Sequence, residues 1–140
     1  MNLVCLTLAI LISMTGVSNA EIKIIVNQSV KQNYISKKEI KKVFEGRQKT
    51  WDDGSNIIVT IYKDENIFRA FLAEFVNTNP TQFKNVWRRL IFTGKVTSDQ
   101  IQIFSSEEDA INYLTNTAGA IGFTTMENIP QKLKFIQIGE

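Results

Sequence analysis

The sequence predicts an α/β fold, a three-layer sandwich in which a mainly parallel sheet carries helices on both faces. Short β-branched and aromatic runs alternate along the chain with segments of helical periodicity, a pattern that is typical of sheets built from strand–helix units. One run, residues 57–62, is apolar at nearly every position, as expected for a strand that is covered on both sides. Residues 67–76 then repeat apolar side chains about every four positions and predict a helix with a wide buried face.

The start of the chain has the pattern of an export signal. The first 20 residues carry no charged side chain, and residues 3–14 form an apolar run of signal-peptide length. Small residues at positions 18–20 match a signal-peptidase site and predict cleavage before Glu21. A basic residue is missing from the leader, so a short N-terminal anchor or a buried strand remains an alternative. We expect a single periplasmic domain at residues 21–140, with no membrane span after cleavage.

Composition excludes several classes of chemistry. Cys5 is the only cysteine, so loss of the leader would exclude disulfides and thiol catalysis. The chain has no histidine, which excludes a histidine base and histidine-based metal sites. A formal net charge of +2 is too small to indicate a nucleic-acid partner. No nucleophile can be paired with a neighbouring base, and the adjacent carboxylates belong to a turn and a helix cap. We therefore expect no enzymatic activity, no metal and no cofactor.

The first half of the domain begins with a strand and a capped helix. Residues 22–26 predict the strand, and residues 35–46 predict the helix. Ser36 and Glu39 have the spacing of a reciprocal capping box, and Gly46 ends the helix. The apolar stripe of this helix contains Ile40, Val43 and Phe44. Its lysines lie on the opposite side, which indicates a solvated face or, alternatively, a surface for an anionic partner.

The second half continues the alternation. Pro80 predicts the start of a further helix, and residues 101–104 predict a short strand. Ser105 and Glu108 have the spacing of a second capping box. The apolar stretches at residues 120–123 and 133–138 predict the last strands. The expected core stripe of the helix after Pro80 is Phe83, Val86, Trp87, Leu90 and Ile91.

Four stretches in this order resemble the phosphate-type periplasmic substrate-binding proteins, and in particular small single-lobe relatives of this type 2 class. They extend over roughly residues 22–124 and imply the fold of one lobe. The stretches are Phe44-x-Gly46, Trp51-x-x-Gly54, Trp87 with residues 91–94, and residues 119–123.

The resemblance implies a phosphate-like oxyanion, captured for ABC-type uptake near the loop that follows the strand at residues 57–62. In this loop the sequence departs from the family pattern. Lys63 stands where the family has an arginine, and Asp64 and Glu65 follow in place of its Ser-Gly-Thr. Two carboxylates at a helix start compete with a bound anion, so we expect phosphate binding to be weak or absent. The candidate ligand-binding residues are Lys63, Asn66, Arg69, Thr93, Gly94 and Gly119.

Alternatives remain open at this stage. The polar candidates can be ordinary surface side chains, and Trp51 and Trp87 can be ligand platforms or packing residues. The chain has length for one lobe, so tight capture would require a partner or a dimer. It is either a non-catalytic binding protein that works with a membrane transporter, or a periplasmic interaction module that kept the fold without the ligand.

Overall fold

The computed structural model describes residues 21–139, so the predicted leader at residues 1–20 lies outside the described residues. The strands are β1 (Lys23–Asn27), β2 (Tyr34–Ser36), β3 (Ile58–Tyr62), β4 (Ile101–Phe104), β5 (Ala120–Thr124), β6 (Leu133–Phe135) and β7 (Gln137–Gly139). The helices are α1 (Lys37–Phe44), α2 (Ile67–Phe71), α3 (Pro80–Phe92) and α4 (Glu107–Asn116). A π-helical segment, Leu72–Val76, continues α2, and a short 3₁₀ turn, Ser98–Gln100, precedes β4.

The main sheet has five strands in the order β4-β3-β5-β1-β6. Strand β3 pairs in parallel with β4 and β5, whereas β1 pairs antiparallel with β5 and β6. Four of the five strands therefore run in one direction and β1 opposes them, which confirms the mainly parallel sheet. Strands β2 and β7 form a separate parallel pair.

Helices cover both faces of this sheet, which confirms the three-layer prediction. On β1 the side chains of Ile24 and Val26 join the larger core under α1, α2 and α3, while Ile25 joins a smaller cluster with Leu114 of α4. Stacked aromatic rings connect the layers of the larger core, with the Phe71 ring centroid 4.3 Å from that of Phe123.

The helix caps follow the predicted chemistry only in part. The Ser36 hydroxyl accepts the Glu39 N–H at 3.1 Å, but the Glu39 carboxylate turns away and accepts the Gln48 side-chain amide at 2.8 Å. The first capping box is therefore half formed. At α4 the N-cap is Ser106, which has extended backbone and accepts the Asp109 N–H, so the prediction of Ser105 is wrong by one residue.

The buried face of α3 is narrower than the sequence predicts. Phe83 and Trp87 are buried, with Leu90 packed partly against the same core, and these positions form a single line along the helix. Val86 and Ile91 are exposed, so their assignment to the core stripe is wrong. Within residues 21–139, no helix has the length and apolar character needed to cross a membrane.

Candidate functional site

A groove of about 440 Å³ opens between α2 and the first turns of α3, where the chain leaves the carboxyl end of β3. The carboxyl ends of parallel strands are the usual position of ligands in α/β sheets. The groove is lined by Lys63, Asp64, Glu65, Phe68, Arg69, Pro80, Thr81, Lys84, Asn85 and Arg88.

The charges of the groove are mainly positive. Lys63 and Arg69 come from the α2 side, and Lys84 and Arg88 lie one turn apart on α3. All four side chains are exposed, and none is within ion-pair distance of a carboxylate among residues 21–139, where both ion pairs involve Glu45. A concave surface lined by unpaired cations attracts anions from solution.

The start of α2 is closed by a side chain of the protein itself. One carboxylate oxygen of Asp64 accepts the N–H groups of Asn66 and Ile67, both at 2.9 Å. These are the helix-start donors that would otherwise face an anion. The Asn66 side chain makes no cap hydrogen bond, and Asn66 is absent from the lining of the groove. Asp64 thus takes the place at the helix start where a small oxyanion would sit.

The structure brings together only two of the six residues that the sequence singles out as ligand contacts. Lys63 and Arg69 line the groove described above. Gly94 lines a different groove beside Lys49 and Lys95, and the neighbouring Thr93 hydroxyl donates to a main-chain oxygen of its own helix at 2.8 Å.

Gly119 is held entirely by contacts within the protein. Its N–H donates to the Ser29 hydroxyl at 3.0 Å, and its carbonyl accepts the Trp51 indole N–H at 3.0 Å and the Ile58 N–H at 3.2 Å. Both main-chain groups are therefore occupied.

Lys84 and Arg88 are the groove residues that the sequence reasoning missed. Both are hydrophilic residues on the polar side of a predicted helix, which by itself indicates only a solvated face. Their spacing of four residues was the available signal, since it places two cations on one side of α3.

Both tryptophans are structural. Trp51 and Trp87 are 3% and 5% exposed. The Trp87 indole N–H donates at 2.8 Å to the carbonyl of Phe44, the last residue of α1, so it ties α3 to α1. The Trp51 indole ties its loop to Gly119 in the same way. The sequence stretches that carry the family resemblance therefore form contacts that hold the domain together.

Tyr62 is buried at the end of β3, and its hydroxyl has no hydrogen-bond partner among the residues described. Burial, followed by the neighbouring Glu107 carboxylate, raises the pKa of Tyr62 above its usual range, so the phenol stays protonated. In the described part of the chain, no three acidic or cysteine side chains are grouped so that they could hold a metal ion.

Comparison with known proteins gives matches among solved structures alone. No protein-family model matches the chain, and no curated protein matches it at a significant level. An ABC-type phosphate transport receptor from Vibrio cholerae is similar in structure, with a TM-score of 0.61 and 14% sequence identity over 84% of this chain and 45% of that one.

Two further structures agree with this match. A putative phosphate ABC transporter substrate-binding protein from Clostridium perfringens, solved with bound phosphate, has a TM-score of 0.60 and 15% identity over 84% of this chain and 44% of its own. PstS from Borrelia burgdorferi has a TM-score of 0.60 and 13% identity over 84% of this chain and 46% of its own. The chain spans less than half the length of these structures. It has the fold of one lobe of a phosphate-type, type 2 periplasmic substrate-binding protein.

Proposed function

We propose that the chain is a non-catalytic periplasmic binding protein that captures a small oxyanion in the groove between α2 and α3. The observation that carries this proposal is the presence of four unpaired cations, Lys63, Arg69, Lys84 and Arg88, on one concave surface. Solved structures of the same fold include a phosphate transport receptor and a putative substrate-binding protein with bound phosphate, which supports an anionic ligand.

The cations have different roles in this proposal. Arg69 and Arg88 present planar guanidinium groups, which bind a carboxylate or phosphate through two parallel hydrogen bonds. Lys63 and Lys84 act as point charges that add attraction without fixing the orientation of the ligand. Inorganic phosphate binds weakly, because Asp64 already accepts the N–H groups at the start of α2.

A membrane transporter of the ABC type is the partner that fits this role. One lobe encloses the groove only in part, and an open groove buries only part of a ligand. Contact with a transporter, or with a second copy of the chain, would complete the enclosure. Export by the predicted leader at residues 1–20 would deliver the protein to the periplasm.

Calorimetric titration with phosphate and sulfate at low ionic strength tests the proposal. We expect Arg88→Ala, Lys63→Ala and Arg69→Ala each to weaken anion binding severalfold, and added salt to weaken it further. Arg89→Ala is the matched control, because Arg89 is an exposed arginine next to Arg88 on α3 that does not line the groove. Binding that survives all three groove substitutions would show that the anion sits elsewhere.

A second function, docking to another protein, is favoured by Phe92 at the end of α3, whose side chain is 89% exposed. An aromatic ring of this size is stabilised when a partner removes it from water. Site-specific cross-linking from position 93, the exposed residue next to Phe92, in intact cells tests this function. An adduct that is absent in Phe92→Ser but present in Arg89→Ala would support it.

A further inference from the structure

We infer that the ligand of the groove is an organic anion with an apolar body and two separated anionic groups, rather than a bare inorganic oxyanion. This inference rests on the proposed function and names the class of ligand for the same groove. It follows from the donors that remain, the size and floor of the groove, and the placement of its charges.

The main-chain donors at the start of α2 are occupied and do not serve a bare oxyanion. A compact anion at a helix start is held mainly by main-chain N–H groups. Here the N–H groups of Asn66 and Ile67 both donate to the Asp64 carboxylate. The anionic groups of a ligand must therefore be bound mainly by the long lysine and arginine side chains of the groove. Because these side chains come from both of its walls, they suit an extended ligand.

The groove has room for a ligand much larger than an ion of a few atoms. Its volume of about 440 Å³ lies in the range of sites for organic molecules, roughly 300–1,000 Å³. Its lining includes the ring of Phe68, which is otherwise buried, and the ring of Pro80 at the start of α3. These surfaces gain nothing from a hydrated inorganic ion, but they favour contact with the hydrocarbon part of a ligand.

The cations form two groups on opposite walls. Lys63 and Arg69 belong to the wall made by α2 and the loop before it, which also carries the Asp64 and Glu65 carboxylates, whereas Lys84 and Arg88 belong to α3. A single small anion pairs with the cations of one wall at a time. A molecule with an anionic group at each end can pair with both walls while its apolar middle contacts Phe68.

Affinities of three probes, measured by calorimetry at low ionic strength, test the inference. The probes are inorganic phosphate, phenyl phosphate and 1,4-benzenedicarboxylate. We expect phenyl phosphate to bind about tenfold tighter than phosphate, because part of its ring leaves water against Phe68. We expect 1,4-benzenedicarboxylate to bind at least as tightly as phenyl phosphate, and to lose about tenfold in both Lys63→Ala and Arg88→Ala, but not in Arg89→Ala.

Each other outcome has a definite meaning. If phosphate binds as tightly as both organic probes and depends on Lys63 and Arg88, the inference is wrong and the proposed oxyanion function stands. If the organic probes bind but are insensitive to both groove substitutions, they bind elsewhere and the inference is wrong. If none of the three probes binds, both the inference and the proposed function are overturned.

Discussion

Alanine substitution of Gly46 tests whether the end of α1 packs closely against α3 at this glycine. Gly46 has a φ of +74°, a left-handed conformation that ends α1. A methyl group built at this position would lie 2.7 Å from the Leu90 Cδ1 atom and 3.4 Å from the Trp87 ring. The substitution therefore combines a backbone cost with crowding between two helices.

Gly94 provides a matched control for the backbone cost alone. It has the same φ of +74°, and a methyl group there would have nothing within 4 Å. A left-handed alanine costs about 1–2 kcal/mol, and the stiffer unfolded chain returns about 0.4–1 kcal/mol. We expect Gly94→Ala to lower the free energy of unfolding by about 1 kcal/mol.

Crowding should make Gly46→Ala worse, although the Leu90 Cδ1 atom is the end of a flexible, half-buried side chain and can partly move away. Overfilling a packed contact costs about 1–3 kcal/mol, and we expect the lower end here, so the total expected loss is about 2 kcal/mol. Urea denaturation followed by tryptophan fluorescence measures both variants, and an unchanged slope with urea would show that the unfolded states are comparable.

A double variant identifies the source of the crowding. Leu90→Ala removes the Cδ1 atom that the new methyl group meets. We expect Gly46→Ala with Leu90→Ala to be more stable than the sum of the single losses predicts, by about 1 kcal/mol or more. Equal losses for Gly46→Ala and Gly94→Ala, together with additive losses in the double variant, would refute close packing between Gly46 and α3.

Three further predictions concern the indole contact, acid stability and export. Trp87→Phe should lower the free energy of unfolding by about 1–3 kcal/mol in urea, because a buried carbonyl loses its donor. Hydrogen bonds from Ser55 hold the pKa of Asp53 below its ordinary value of 3.8, so its contribution to stability is present above that pH and is lost as pH falls through the lower folded value. Urea midpoints between about pH 5 and 2 should therefore fall less in Asp53→Asn than in the wild type or in the neighbouring Asp52→Asn control. Mass spectrometry of protein made in a Gram-negative host should find Glu21 at the N-terminus, and retention of the first residue would contradict export by cleavage.

Elements with a local signal could be predicted from the sequence. The continuous apolar run at residues 57–62 predicts a strand covered on both faces, and four of the five residues of β3 are buried. Asn79 and Pro80 likewise mark the start of α3, where the Asn79 side chain accepts a main-chain N–H at 2.9 Å. In both places the residues that specify the element are adjacent in the chain.

Features that depend on distant contacts could not be predicted in the same way. Helical spacing identifies the apolar side of α3, but it does not say how much of that side the rest of the domain covers. Trp87 fixes α3 on the Phe44 carbonyl, which leaves Val86 and Ile91 outside the contact. The direction of β1 is also non-local, because it depends on pairing with β5, where Ile25 lies opposite Gly122, a residue 97 positions later in the chain.

In the candidate site, too, residues close together in the chain could be predicted and those brought in by the fold could not. Lys63 and Arg69 are close in the chain and were identified together, whereas Lys84 and Arg88 reach the groove only because α3 folds back beside α2. Gly119 does not line this groove, and its carbonyl accepts the indole N–H of Trp51. A resemblance in sequence motifs cannot separate residues that support a loop from residues that touch a ligand.

The residues that hold the domain together are different from those that line the groove, so the fold and the ligand can change independently. The contacts of Trp87 with Phe44 and of Trp51 with Gly119 hold helices and loops in place without reaching the groove. Change at Asp64 alters the donors at the start of α2 but breaks neither contact, because its carboxylate bonds only to the next turn of its own segment. A chain of this fold can therefore keep its framework at 13–15% identity while its groove acquires a different specificity. Asp64→Asn separates the two effects, since it should leave the tryptophan contacts intact and increase the affinity for phosphate by removing a negative charge beside Lys63.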